Sequence, residues 1–320
     1  MQVLNLKFLK IYFNFIIVFS CLFPGKANAS NENELITRYA IFPISVEKAY
    51  LQEADDSWWN LRKEFLKSKL YLVSSKKFMQ QKGVFQPRQS LEAADVIILA
   101  RLLDAHALVI TNLKDRNLSM IVYQGNTGKP LWQSQFELNA AIPIKRQLNE
   151  AVLNLMNSYL ADIPYQGYVI KDDLIGKVLY EEDGKKYVKV NVGASTQISE
   201  GEKIQFFELE SVNAKNLYQG GSQIKVFAEG VVSSINEQVA KVQVKRMGKD
   251  LDMSTGTLVR APNEFARVKA QLKNFDQLKM EVNPYISEVK MREDSEEDEG
   301  NLVSALVFIG GIVGFLTIAF

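Results

Sequence analysis

The sequence predicts an α+β fold: a mixed sheet covered by helices, followed by a small all-β barrel or sandwich and a C-terminal transmembrane helix. Three observations predict it. Up to Pro164, short apolar strand patterns alternate with helical ones. From Tyr165-Gln166-Gly167 onward, strands follow one another at short intervals with no helical period. Finally, Leu302 to Phe320 runs to the last residue without a charge. At about 1.5 Å of rise per residue that segment spans roughly 28 Å as a helix, close to the thickness of a hydrocarbon core.

The amino end, residues 1–29, reads as a signal peptide. Lys7 and Lys10 precede an apolar stretch from Ile11 to Phe23, then the breakers Pro24 and Gly25 and the small-residue site Ala27-Asn28-Ala29. Two alternatives stay open: an uncleaved anchor, and a bacterial lipoprotein signal, which Val18-Phe19-Ser20-Cys21 resembles and in which Cys21 carries the lipid. Cleavage after Ala29 would leave a mature chain without cysteine, so no disulfide or thiolate metal site is expected, and no cofactor. The charges, 38 basic against 37 acidic, are not gathered into a basic face, which argues against a nucleic-acid partner.

Residues 30–164 form the α+β region. Arg38 to Ile44 is a strand, and Val46 to Leu66 places Tyr50, Ala54, Trp58, Leu61 and Phe65 at spacings of three and four, one buried helix face. Leu70 to Ser74 is a second strand, followed by a short helix around Phe78 and Met79. Ser90 reads as the N-cap of a helix through Leu103, and Ala107 to Thr111 is a third strand. Leu118–Val122 and Leu131–Leu138 make a hairpin around Asn126-Thr127-Gly128. Leu148, Val152, Leu155, Tyr159 and Ile163 line a last helix ending at Pro164.

Residues 165–262 carry the closely spaced strands of the small barrel domain, among them Ile204–Leu209, Ile224–Phe227, Gly230–Ile235 and Val239–Lys245. Gly220-Gly221, after Asn213 to Tyr218, reads as a mobile barrel loop, because a phosphate cradle would need a following Lys-Ser/Thr and a helix. Residues 263–283 predict an amphipathic helix capped by Asn263. Residues 284–301 form an acidic linker, with six acids around one serine from Glu293 to Glu299, and 302–320 is the membrane helix. Within that helix Gly310 and Gly314 form a Gly-xxx-Gly pair that permits close helix packing and a homo-oligomer.

Two stretches resemble known families. Ala93-Ala94-Asp95 through Ala105-His106-Ala107-Leu108-Val109-Ile110-Thr111, with the hairpin running to Pro130-Leu131-Trp132, resembles the TolB amino-terminal-like domain. Bacterial envelope assembly proteins share that fold, including curli secretion and penicillin-binding-protein activator lipoproteins. Val188 to Gly193, with Gly201-Glu202-Lys203-Ile204, is similar to the carboxy-terminal domain of the flagellar assembly protein T family. The resemblance implies a scaffold or assembly component of an envelope machine, flagellar or secretion type, with periplasmic domains, protein partners in the cell envelope and a membrane anchor. Its alternative implication is a regulatory module that binds and activates a peptidoglycan synthase.

The residues themselves point away from an enzyme. His106 is the only histidine, with Asp104 the only nearby carboxylate, and reads as a satisfied residue at a strand start. The chain has no Gly-x-Ser-x-Gly elbow, which leaves a hydrolase or sugar-binding protein as the weaker expectation. In Trp58-Trp59, Trp58 joins the buried helix face, and Trp59 is the candidate partner contact.

Overall fold

The computed structural model describes residues 35–192, 198–248, 253–263 and 266. The chain divides into two compact units, Met1–Arg267 and Val268–Phe320, and every described residue belongs to the first. The signal peptide with Cys21, the amphipathic helix beyond its first residues, the acidic linker and the membrane helix with Gly310 and Gly314 all lie outside the described residues. Among the described residues no helix is long and apolar enough to cross a membrane.

The first part is a five-stranded mixed sheet in the order β2-β1-β3-β4-β5. β1 (Arg38–Ile41) pairs in parallel with β2 (Leu72–Val73) and β3 (Ala107–Lys114). β4 (Asn117–Gln124) and β5 (Pro130–Glu137) continue antiparallel. Successive side chains of a strand point to opposite faces, so Tyr39, Ile41, Ala107 and Val109 face one core while Ala40, Phe42, Leu108 and Ile110 face another. A sheet apolar on both faces needs cover on both. The first face is covered by α1 (Leu51–Lys67), through Ala54, Trp58, Leu61 and Phe65, and by α4 (Ile144–Asp162), through Leu148, Val152, Leu155 and Tyr159. The second face is covered by α2 (Lys76–Gln81) and α3 (Ala93–Leu103), through Met79, Val96, Leu99 and Leu103.

Two helix starts differ from expectation. α1 begins at Leu51, because Lys48–Tyr50 forms a separate tight turn. Ser90 caps nothing: α3 starts at Ala93 after Glu92, whose side chain makes no cap. The Leu91 amide donates to the Tyr123 hydroxyl at 3.5 Å and Leu91 packs on the second core, so tertiary contacts hold these residues extended past Ser90.

The second part is a closed six-stranded barrel, resolving the choice between barrel and sandwich. Its ring runs β11 (Val239–Met247), β10 (Ser222–Asn236), β9 (Lys203–Ser211), β12 (Leu258–Arg260), β6 (Gly167–Ile170) and β8 (Lys185–Asn191), and β8 pairs back onto β11. β7 (Leu179–Glu182) extends the line of β6 along the same edge of β8. Val169, Val188, Val190, Ile204, Phe206, Val232 and Val242 fill the interior. The two strands expected at 224–227 and 230–235 are one, β10. Its register shifts at Val226/Ala228 against β9 and at Glu229/Gly230 against β11. A side chain at Gly230 would come within 2.6 Å of Val242 Cγ1, so this glycine marks a bulge that packs closely and not a turn.

One apolar core runs through both parts. Phe207, Leu209, Tyr218 and Leu258 from the barrel side join Tyr39, Phe65, Trp132, Tyr159 and Tyr165. The rings of Tyr159 and Tyr218 stack at 6.3 Å, the Tyr39 and Tyr159 hydroxyls lie 2.8 Å apart, and the Tyr165 hydroxyl donates to the Ile36 carbonyl at 2.9 Å. Burial in this cluster pushes the phenols of Tyr39, Tyr71, Tyr159 and Tyr165 well above the ordinary tyrosine range.

Candidate partner-contact surface

α1 lies over the β1–β2 end of the sheet, packing on β2 and on α4. Its periodicity buries Trp58 and leaves Trp59, the next residue, 47 % exposed. Trp59 is nevertheless held in place. Its ring meets that of Trp58 edge to face at 4.8 Å, with the Arg62 guanidinium 5.8 Å and the Lys76 ammonium 5.6 Å from its centroid. Both cations are fixed in turn: Arg62 donates to the Ser74 carbonyl and sits 4.9 Å over Trp58, while Lys76 pairs with Asp55 at 3.3 Å. Desolvation lowers the pKa of Arg62, yet its place over an aromatic face keeps the charge well accommodated. The outcome is a rigid, half-exposed aromatic, the kind of side chain that anchors protein contacts at small entropic cost.

Leu66, seven residues on, lies on nearly the same side of the helix and is 45 % exposed, and Leu72 on β2 is 65 % exposed. β2 is the outermost strand at this end. Leu72 and Ser74 donate their amides to the Thr37 and Tyr39 carbonyls, which leaves the intervening Val73 amide directed away from β1.

The opposite edge of the same sheet is covered. The loop after β9, read from the sequence as mobile, is docked on β5: the Gln133 amide donates to Gln219 Oε1 at 3.0 Å and Gln219 Nε2 donates to the Gln133 carbonyl at 2.8 Å. A single side-chain amide thus supplies the donor and acceptor that a neighbouring strand would. Tyr218 beside it is buried in the shared core, and a side chain at Gly221 would lie 2.2 Å from the Lys215 carbonyl oxygen. Tyr218 and Gln219 are the residues that sequence reasoning passed over. The signal available was an aromatic followed by an amide within a loop otherwise rich in small and polar residues.

The remaining sequence candidates fall elsewhere. His106 sits one residue before β3, with the Thr37 amide 3.2 Å from Nδ1 and Arg38 Nε 3.1 Å from Nε2, and Arg38 is paired with Asp104. Arg38 donates to Nε2 and the Thr37 hydroxyl lies 3.4 Å from Nδ1, so the ring is held by structural partners at the β1–β3 junction. Among the described residues no group of three His, Cys, Asp or Glu side chains is placed to hold a metal ion.

The solved structures similar to this chain have low scores. LpoB from E. coli matches at 17 % identity over 32 % of this chain and 57 % of that one, with a TM-score of 0.26. Lipoprotein GNA1162 from Neisseria meningitidis matches at 13 % identity over 39 % of this chain and 96 % of that one, with a TM-score of 0.25. TolB from Acinetobacter baumannii matches at 14 % identity over 68 % of this chain and 62 % of that one, with a TM-score of 0.26. The match to the LpoB chain thus spans little more than half of its length. No protein-family model and no curated protein matches the chain.

Proposed function

We propose that this chain is a non-enzymatic bacterial envelope protein, exported by its amino-terminal signal, anchored by its tail and acting as a docking or assembly component of a larger envelope machine. The observation that carries the docking role is Trp59, held rigid by Trp58, Arg62 and Lys76 yet half exposed. A half-exposed tryptophan forgoes about half of the roughly 1.5–3 kcal/mol that fully burying a large apolar side chain provides. A partner that covers it recovers that energy without having to order the side chain first. The envelope location and the tail anchor rest on the uncharged segment 302–320, the amino-terminal signal pattern and the sequence resemblance to TolB-like domains.

A photo-crosslinking amino acid at position 59 of the full-length chain, activated in intact cells, tests the reading. A machine component, with or without self-adducts, is the expected product. Capture of a peptidoglycan synthase would transfer the function to a regulatory module that activates such an enzyme. Uncrosslinked monomer alone would overturn the docking role. Trp59→Ala should cost the fold about 1–2 kcal/mol, since only about half of the side chain is buried, while removing the adducts made from neighbouring positions.

A further inference from the structure

The β2 edge differs from the other edges of the fold in being open, apolar and basic together. The barrel ring closes on itself, and on β5 the outward backbone groups of Gln133 are answered by Gln219. At β2 the Val73 amide points outward, Leu72 stands exposed on the strand, and Trp59 and Leu66 line the outer side of the adjoining helix.

The charges around this edge are mixed with a basic excess, the acids being Asp55, Asp56 and Glu64. Lys67 and Lys76 are paired with Glu64 and Asp55. Lys63, Lys69 and Lys77 are exposed and have no carboxylate within ion-pair distance among the described residues. Lysines on an edge strand prevent two copies of the same edge from pairing, because like charges then meet. Protection alone, however, would not keep Trp59, Leu66 and Leu72 exposed beside the unpaired backbone. We propose that β2 is a strand-addition site, which takes an extended segment of a partner protein that alternates apolar and acidic residues. The unpaired backbone supplies affinity, Trp59 and Leu66 on the α1 side receive the apolar side chains, and the lysines select acidic ones, which fall on the opposite face beside Leu72, over a second copy of this chain. The inference rests on the docking role proposed above and names the chemistry of its partner.

The test places the photo-crosslinker at Leu66 in the full-length chain in intact cells and maps the attached peptide by mass spectrometry. The expected adduct is a net-acidic segment with apolar residues at every second position. Val73→Pro removes the outward amide and leaves the Leu72 and Ser74 bonds to β1 in place, as proline on an edge strand permits. It should lower the adduct yield about tenfold. Leu72→Asp alters a side chain with little part in the fold and sets a carboxylate against an acidic strand. It should lower the yield comparably, as should the combined Lys63→Glu, Lys69→Glu, Lys77→Glu variant. Melting curves confirm that each variant is folded, and the aspartate and glutamate variants decide the matter if the proline variant is not.

A basic or helical peptide at the crosslink, a second copy of this chain, or a yield unmoved in the folded variants would overturn strand addition. In those cases an adduct persisting from position 59 leaves the docking role standing. Absence of any adduct from both 59 and 66 would overturn both.

Discussion

The two edges of the five-stranded sheet are treated in opposite ways. β5 is covered by a residue from the barrel half of the chain: Gln219 answers both backbone groups of Gln133, and Tyr218 beside it is locked in the shared core. β2 is left with an outward amide, an exposed leucine and unpaired lysines. An unpaired edge is an aggregation hazard, and proteins ordinarily cover it, shorten it or charge it. This chain covers one edge and both shortens and charges the other. The difference assigns stability to the β5 side and, on the function proposed above, partner recognition to the β2 side.

The largest effect that would test this division is alkaline. Tyr39, Tyr71, Tyr159 and Tyr165 have folded-state pKa values raised by burial, so their contribution to stability is complete below the unfolded tyrosine value of about 10 and is lost as pH rises above it. Because the cluster joins sheet and barrel, far-UV and near-UV circular dichroism should report a single cooperative loss above that pH. Separate transitions would mean that the shared core does not couple the two parts.

Tyr218→Ala comes next, at about 3–5 kcal/mol in urea unfolding, as for other buried aromatics truncated to alanine. If the division holds, this variant still crosslinks from position 59 below its unfolding midpoint, since its damage is on the far edge. Gln219→Ala should cost about 1–2 kcal/mol, the net worth of two hydrogen bonds at a partly wet site. It should also raise concentration-dependent self-association in sedimentation, because it uncovers β5, whereas charge-neutral changes at β2 should not.

The smallest effect is a pH dependence confined to acid. Asp172 is buried and accepts from Lys189 at 2.9 Å and from the amides of Leu174 and Ile175, and these bonds hold its carboxyl below the usual aspartate range. Its contribution is therefore present above the unfolded value of about 3.9 and is lost as pH falls below it. Asp172→Asn should flatten that acid limb by lowering stability above about pH 5, where the ionised carboxylate contributes, and leave the lowest-pH end nearly unchanged. It should not alter crosslinking at either sheet edge.

Much of this fold is legible in the chain because local periodicity carries it. The buried face of α1, the Leu118–Leu138 hairpin and the change of texture at Tyr165 are short-range patterns of apolar residues, and each appears where those patterns place it. The same periodicity separates Trp58 from Trp59, since neighbours on a helix differ by about 100° in direction. Errors arise where a distant partner overrides a local signal. Ser90 has the chemistry of a cap, but Tyr123 and the second core hold its neighbours extended. Gly230 has the look of a turn, but Val242 fills the space it leaves.

Within the described residues the sequence alone was enough for most helix and strand positions, for which tryptophan of the Trp58-Trp59 pair is buried, and for the charge balance, because propensity, spacing and composition act within a few residues. Only the tertiary structure decided that the barrel closes, that Tyr218 and Gln219 leave their loop to complete the core and edge of the sheet, and that β2 remains open. Those outcomes depend on pairings between residues far apart in the chain, such as Gln133 with Gln219 or Val188 with Val242. Their energy exists only once the chain has brought both partners together, so no local pattern records it.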